Sequence, residues 1–115
     1  MTSTPTALTG RVRAALSGEP STREVSMFGG LSFMVDEKIL VAVGRDDVLL
    51  VRIDPARHDE LLALAGATQA EMGTGRSMGP GWIHVVPDAL ATDDDLSFWL
   101  DVAREYNTRA RRTTR

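Results

Sequence analysis

Residues 73–82 read GTGRSMGPGW, four glycines and a proline around Arg76, with Trp82 at the end. Glycines beside a cation are the material of a phosphate cradle, in which backbone N–H groups converge at a helix start and the helix dipole adds its share. The P-loop spacing G-x-x-x-x-G-K-[ST] is absent, and a dinucleotide fingerprint needs a strand before it and a helix after it. Here the glycines lead instead into WIHVV, a strand pattern. The segment therefore reads as a long hairpin connection whose glycines take positive φ, with Arg76 as its anion-gripping group. A second cluster, MFGG at 27–30, precedes another strand pattern. There a Gly-Gly pair permits a bulge or a close backbone approach. Were the two clusters to meet, Phe28, Gly29, Gly30, Arg76, Met78 and Trp82 would line a pocket of glycine backbone and soft apolar side chains, suited to a small ligand or anion.

The remaining reactive residues do not assemble into a catalytic set. His58 falls in the first turns of a helix beside Asp59 and is expected to be exposed. His84 sits mid-strand, facing away from Ile83 and Val85. Neither H-E-x-x-H nor any paired-histidine spacing occurs, so no zinc site is expected. The serines and threonines come without G-x-S-x-G or an evident base. Asp93, Asp94 and Asp95 are explained by a first helical turn without a metal, and Asp46 and Asp47 by a turn. The absence of cysteine excludes disulfides, thiolate metal ligands and a cysteine nucleophile. No catalytic residue, metal or cofactor is expected.

At 115 residues the chain is read as one domain spanning 1–115, with a core of about 6–107. Its 43% hydrophobic and 25% charged residues are those of an ordinary soluble globular protein. The N-terminus has no apolar stretch of the signal-peptide kind, and no run approaches the length that spans a bilayer, so a cytoplasmic protein without membrane contact is expected. The net charge of −3 is uneven. Residues 104–115 hold five arginines against one glutamate, +4, which leaves −7 on residues 1–103. An acidic body argues against nucleic acid as a partner of the body. Arg109, Arg111, Arg112 and Arg115 are the candidate phosphate contacts in the tail. Cations also favour a helix C-terminus for its dipole alone.

The elements that must position these groups follow from periodicity. Leu8, Val12, Ala15 and Leu16 mark a helix from about Thr6, stopped by Gly18 and Pro20. From Val25 to Ile53 the turn-like VDEK and GRDD separate three apolar runs, an antiparallel meander. Arg52 faces away from Val51, so one side of the sheet meets solvent or a partner. Asp54 caps a second helix with Pro55 at its first position, a stripe of Leu61, Leu62, Leu64 and Ala65, and Gly66 as terminator. Two strands come next, near Gln69–Met72 and at Trp82–Val86. The last helix starts at Thr92 with Asp95 in a variant capping box and carries Leu96, Trp99, Leu100, Ala103 and Tyr106. After Asn107 the chain is polar, and residues 108–115 are expected to fray. The order α-β-β-β-α-β-β-α gives a two-layer α+β domain, an antiparallel sheet with helices mainly on one face.

Together these motifs resemble the N-terminal domain of the TfoX/Sxy family. The resemblance rests on MFGGLSFMV at 27–35, VAV at 41–43, LLVRID at 49–54, TGRSM ahead of GW at 74–82, and the aspartate-capped helix with Trp99. It covers Glu24 to about Tyr106. The family's usual loop reads GRPMKGW, whereas this chain has GRSMGPGW, with serine for proline and one more residue before Gly81. The resemblance implies a compact α+β domain standing alone, without the helical second domain of the bacterial competence regulators for which the family is named. It implies a non-enzymatic regulatory or adaptor role through protein contacts, with transcriptional regulation as its setting, and it imports no catalytic residue; the uncovered sheet makes a homodimer a further expectation. The other reading is a small-ligand or anion-binding module on the two glycine-rich segments.

Overall fold

A computed structural model of the chain describes residues 7–19, 22–27, 30–35, 38–44, 47–71 and 76–113. Helix α1 (Ala7–Ala15) leads into β1 (Thr22–Met27), β2 (Gly30–Val35), β3 (Lys38–Val43) and β4 (Leu49–Arg52). A 3-10 turn, Pro55–Arg57, runs into the short α2 (His58–Leu62), then β5 (Ala67–Gln69) and β6 (Trp82–Val85). A second such turn, Pro87–Leu90, precedes α3 (Asp93–Thr113). The strands make one sheet in the order β1-β2-β3-β4-β6-β5, antiparallel throughout.

Register sorts the side chains into rows, because residues paired across antiparallel strands point to the same side. One row runs Glu24, Phe33, Val41, Val51, Ile83 and Gln69; its neighbour runs Ser26, Leu31, Val43, Leu49, Val85 and Ala67. The apolar residues at their centres are buried and join one cluster with Leu8, Val12 and Leu16 of α1, Leu61 of α2, and Leu96, Trp99, Leu100 and Ala103 of α3. The helices therefore cover this face. Burying a residue the size of Leu or Phe contributes about 1.5–3 kcal/mol, so the two rows are the main source of cohesion. Between Phe33 and Met34 the β2–β3 register shifts, leaving Leu40 as an extra residue on β3. The bulge re-aims that strand, and Leu40 and Val41 are both buried in succession.

α3 is fastened at its N-terminus and again at Asn107, within its C-terminal half. Thr92 Oγ1 accepts the Asp95 amide at 3.0 Å, as the capping pattern requires. Asn107 is buried, and its side-chain amide donates to the Val35 carbonyl at 3.2 Å.

The element order expected from the sequence holds, with one strand added. TREVSM forms β1, which offers little apolar signal because its helix-side residues are Thr22, Glu24 and Ser26. Asp54 caps as expected, accepting the Ala56 amide at 2.9 Å, and Gly66 takes φ +79°. The second helix is shorter than its pattern suggested: Leu61 is buried, but Leu64 and Ala65 are exposed. Ala15 likewise turns outward from α1. β5 lies earlier than the expected Gln69–Met72 strand. α3 runs on past Asn107 to Thr113.

Candidate functional site

The glycine-rich connection between β5 and β6 is pinned from inside. Met78 donates its amide to the Ala70 carbonyl at 2.9 Å, and Ala70 donates to the Trp82 carbonyl at 3.3 Å. Residues 79–81 therefore loop out of the ladder between these two bonds. Gly79 and Gly81 take φ of +85° and +97°, a region that side chains with a Cβ rarely occupy. The Gly79 amide donates to Ser77 Oγ at 3.0 Å and the Gly81 amide to His58 Nδ1 at 3.0 Å, while the Gly81 carbonyl accepts the Ile53 amide at 2.8 Å. The amides of Met78, Gly79 and Gly81 are thus spent on the chain itself, whereas a phosphate cradle needs such donors free.

His58 is the hub of this arrangement, which corrects the expectation that it is exposed. Only 7% of it is accessible. Because Nδ1 accepts from Gly81, the ring is the neutral tautomer with its proton on Nε2. That proton is donated to Gln69 Oε1 at 2.7 Å. The Gln69 amide nitrogen in turn lies 3.1 Å from the Gly79 carbonyl, 3.2 Å from that of Ala70 and 3.3 Å from that of Trp82. The short α2 that follows the Asp54-capped turn places His58 against β5. A histidine one step past D-P-A-R in the sequence gives no sign of this role, since its two partners lie 11 and 23 residues onward.

The face of the sheet away from the helices carries a third row, Val25, Ser32, Ala42, Leu50, His84 and Thr68. Beside it, all on one flank, lie Arg23, Met34 and Ile39, then Arg52 and Trp82. Most of these are half-buried, Thr68 is exposed, and Ser32 is buried with its hydroxyl unpaired. Burial pushes the His84 imidazole down from the ordinary histidine value, against a smaller upward pull from Glu71. At the end of β4 the Arg52 guanidinium lies 4.4 Å from the Trp82 ring centroid and 5.2 Å from that of Tyr106, and donates to the Tyr106 hydroxyl at 3.3 Å. Cation–π contacts of this kind are worth about 0.5–2 kcal/mol each.

The proposed pocket residues do not all come together. Gly30 begins β2 beyond the Leu31, Val43, Leu49, Val85 row, while Trp82 lies at the other end of β6. Three strand spacings and about four residues of strand separate them, roughly 20 Å. Gly30 is needed for packing instead, because a Cβ there would collide with the Val43 carbonyl. Phe28 and Gly29 lie outside the described residues. Arg76 is exposed, and Met78 and Trp82 are half-buried. The backbone of Arg109, Arg111 and Arg112 is helical, while their side chains, and Arg115 altogether, lie outside the described residues. Among the described residues no group of His, Asp and Glu could hold a metal ion, and no helix is long and apolar enough to cross a membrane.

Charge pairing ties the helix layer to the rim of the sheet. Arg13 grips Glu24 with Nε and Nη2, both at 2.8 Å, and this hydrogen-bonded pair holds the Glu24 carboxyl below its usual value. Arg57 bridges Glu60 at 3.2 Å and Glu105 at 2.8 Å, and Arg104 reaches Asp101 at 3.0 Å and Glu19 at 3.4 Å. These pairs are largely exposed, and such pairs are worth about 0–1 kcal/mol.

The pattern that defines the TfoX N-terminal domain matches residues 14–106, from late in α1 to the Tyr106 turn of α3. No curated protein and no solved structure matches the chain. The matched stretch contains all six strands and the His58 network, and the chain belongs to the TfoX N-terminal domain family.

Proposed function

We propose that this domain is a non-enzymatic regulatory or adaptor protein of the cytoplasm that works through protein contacts made by the open face of its sheet. The observation that carries the reading is the distribution of helices: they cover one face, while Val25, Met34, Ile39, Ala42 and Leu50 lie on the other with no layer over them among the described residues. An uncovered antiparallel face with apolar residues is a ready surface for association. The partner is a second copy of the chain or another protein, and transcriptional regulation is the setting the family suggests. The acidic body disfavours nucleic acid as a direct partner.

Light scattering on the eluted protein, with Leu50→Asp alongside, tests the proposal. Self-association, or binding to a candidate regulator, that Leu50→Asp abolishes would support it. A monomer whose every interaction survives Leu50→Asp would end it. The alternative, an anion site at the β5–β6 connection, rests on exposed Arg76 alone, since the nearby amides of Met78, Gly79 and Gly81 are consumed. A thermal shift with phosphate that disappears in Arg76→Ala would favour it.

A further inference from the structure

Arg52 is held by its neighbours without being neutralised by them. The rings of Trp82 and Tyr106 flank its guanidinium, and the Tyr106 hydroxyl takes one N–H. Nε is buried without an acceptor. No described carboxylate forms an ion pair with Arg52, whereas Arg11, Arg13, Arg57 and Arg104 each have one. A guanidinium is a planar fork matched to a carboxylate. Here the fork is oriented in advance by two rings, so little side-chain freedom remains to be lost on binding.

The surroundings select the chemistry of the partner. Among the described residues the open row and its flank hold Arg23 and Arg52, with the Glu71 carboxylate lying toward His84 rather than Arg52, amid Val25, Met34, Ile39, Ala42 and Leu50. Residues 1–103 nonetheless sum to −7. A polyanion meeting this face would be repelled by the rest of the body. A single carboxylate on an apolar segment would meet the arginine and little of that repulsion.

We propose that Arg52 is the anchor at which the open sheet face receives an acidic side chain of a protein partner, carried on an otherwise apolar segment. This rests on the reading of that face as an interface. The free N–H groups of the fork donate to the carboxylate while the flanking apolar residues lie on Leu50 and the neighbouring rows.

Selection of peptides from a random display library on the immobilised protein tests this. The enriched peptides are then titrated calorimetrically against the wild type, Arg52→Gln, Arg52→Lys and Leu50→Asp. Circular dichroism and melting establish that each variant folds, and Arg52→Lys with the amide form of the peptide serves if Arg52→Gln does not. Peptides with Asp or Glu between apolar residues are expected. Their affinity should fall about tenfold to a hundredfold in both Arg52 variants, since lysine keeps the charge and loses the fork. Replacing the peptide's acid by its amide should erase the difference between wild type and variant. Peptides sensitive to Leu50→Asp but indifferent to Arg52 would overturn the anchor and leave the interface standing. Binding indifferent to Leu50→Asp as well, or no enrichment, would remove both. A single-stranded oligonucleotide bound through Arg52 in place of acidic peptides would also overturn the proposal.

Discussion

Replacing His58 by alanine removes an acceptor and a donor from the knot that holds the β5–β6 connection. Gly81 is buried, and an unpaired buried N–H costs about 1–3 kcal/mol. Losing the bond to Gln69 adds about 0.5–1.5 kcal/mol. The sum, about 1.5–4.5 kcal/mol, is a large part of the 5–15 kcal/mol typical of a domain. It corresponds to a fall in Tm of about 6–18 °C at this chain length. Urea denaturation followed by tryptophan fluorescence should show a lower midpoint with unchanged slope. Hydrogen exchange should show the Gly81 amide losing protection. Asparagine at 58 can keep an acceptor near the Nδ1 position, and glutamine a donor near Nε2, so each should recover a different part of the loss. A His58→Ala protein within about 0.5 kcal/mol of wild type, with Gly81 still protected, would refute the imidazole as the hub.

Four further outcomes are expected from the packing and the charges. Gly30→Ala should destabilise by about 1–3 kcal/mol as its Cβ meets the Val43 carbonyl, whereas Gly10→Ala, in open space within α1, should stabilise by about 0.5–1 kcal/mol; paired urea melts give both signs. Glu24 has a lowered folded value, so its stabilisation is present above the ordinary carboxylate range and is lost as pH falls through the folded value; Glu24→Gln should flatten that acid limb in Tm measured against pH. His84 is also lowered, so the unfolded chain binds its proton first and stability declines as pH drops below the ordinary histidine value; His84→Gln should remove that slope, and an unchanged slope would assign it to another group.

The covered face was legible in the sequence because its strands obey period two and its long helix keeps an apolar stripe from Leu96 to Tyr106. β1 was not, since an edge strand needs apolar residues on neither side when its helix-facing glutamate finds Arg13. The LLALAG run after His58 reads as helix, yet α2 ends at Leu62, and Leu64 is 40% exposed. Tertiary placement overrides propensity there, because β5 must begin by Ala67 to pair with Val85. The glycine-rich connection could be recognised as a turn. That its amides close on His58 and Ala70 depends on contacts beyond the reach of any local pattern.

The strand order also sets a schedule. β1 to β4 pair with their immediate neighbours in sequence, whereas β4 must wait for β6, with Leu49 meeting Val85 across the intervening α2 and β5. Loop closure over that span is entropically slower than zipping successive hairpins. The four-stranded meander is then the early nucleus, and the bonds that His58 makes across 11 and 23 residues close after the rate-limiting barrier. In a chevron plot, stability lost at His58 should appear on the unfolding limb, with the refolding limb scarcely moved. The same knot that shapes the connection would thus act as a latch against opening, setting how long the native state lasts more than how quickly it forms.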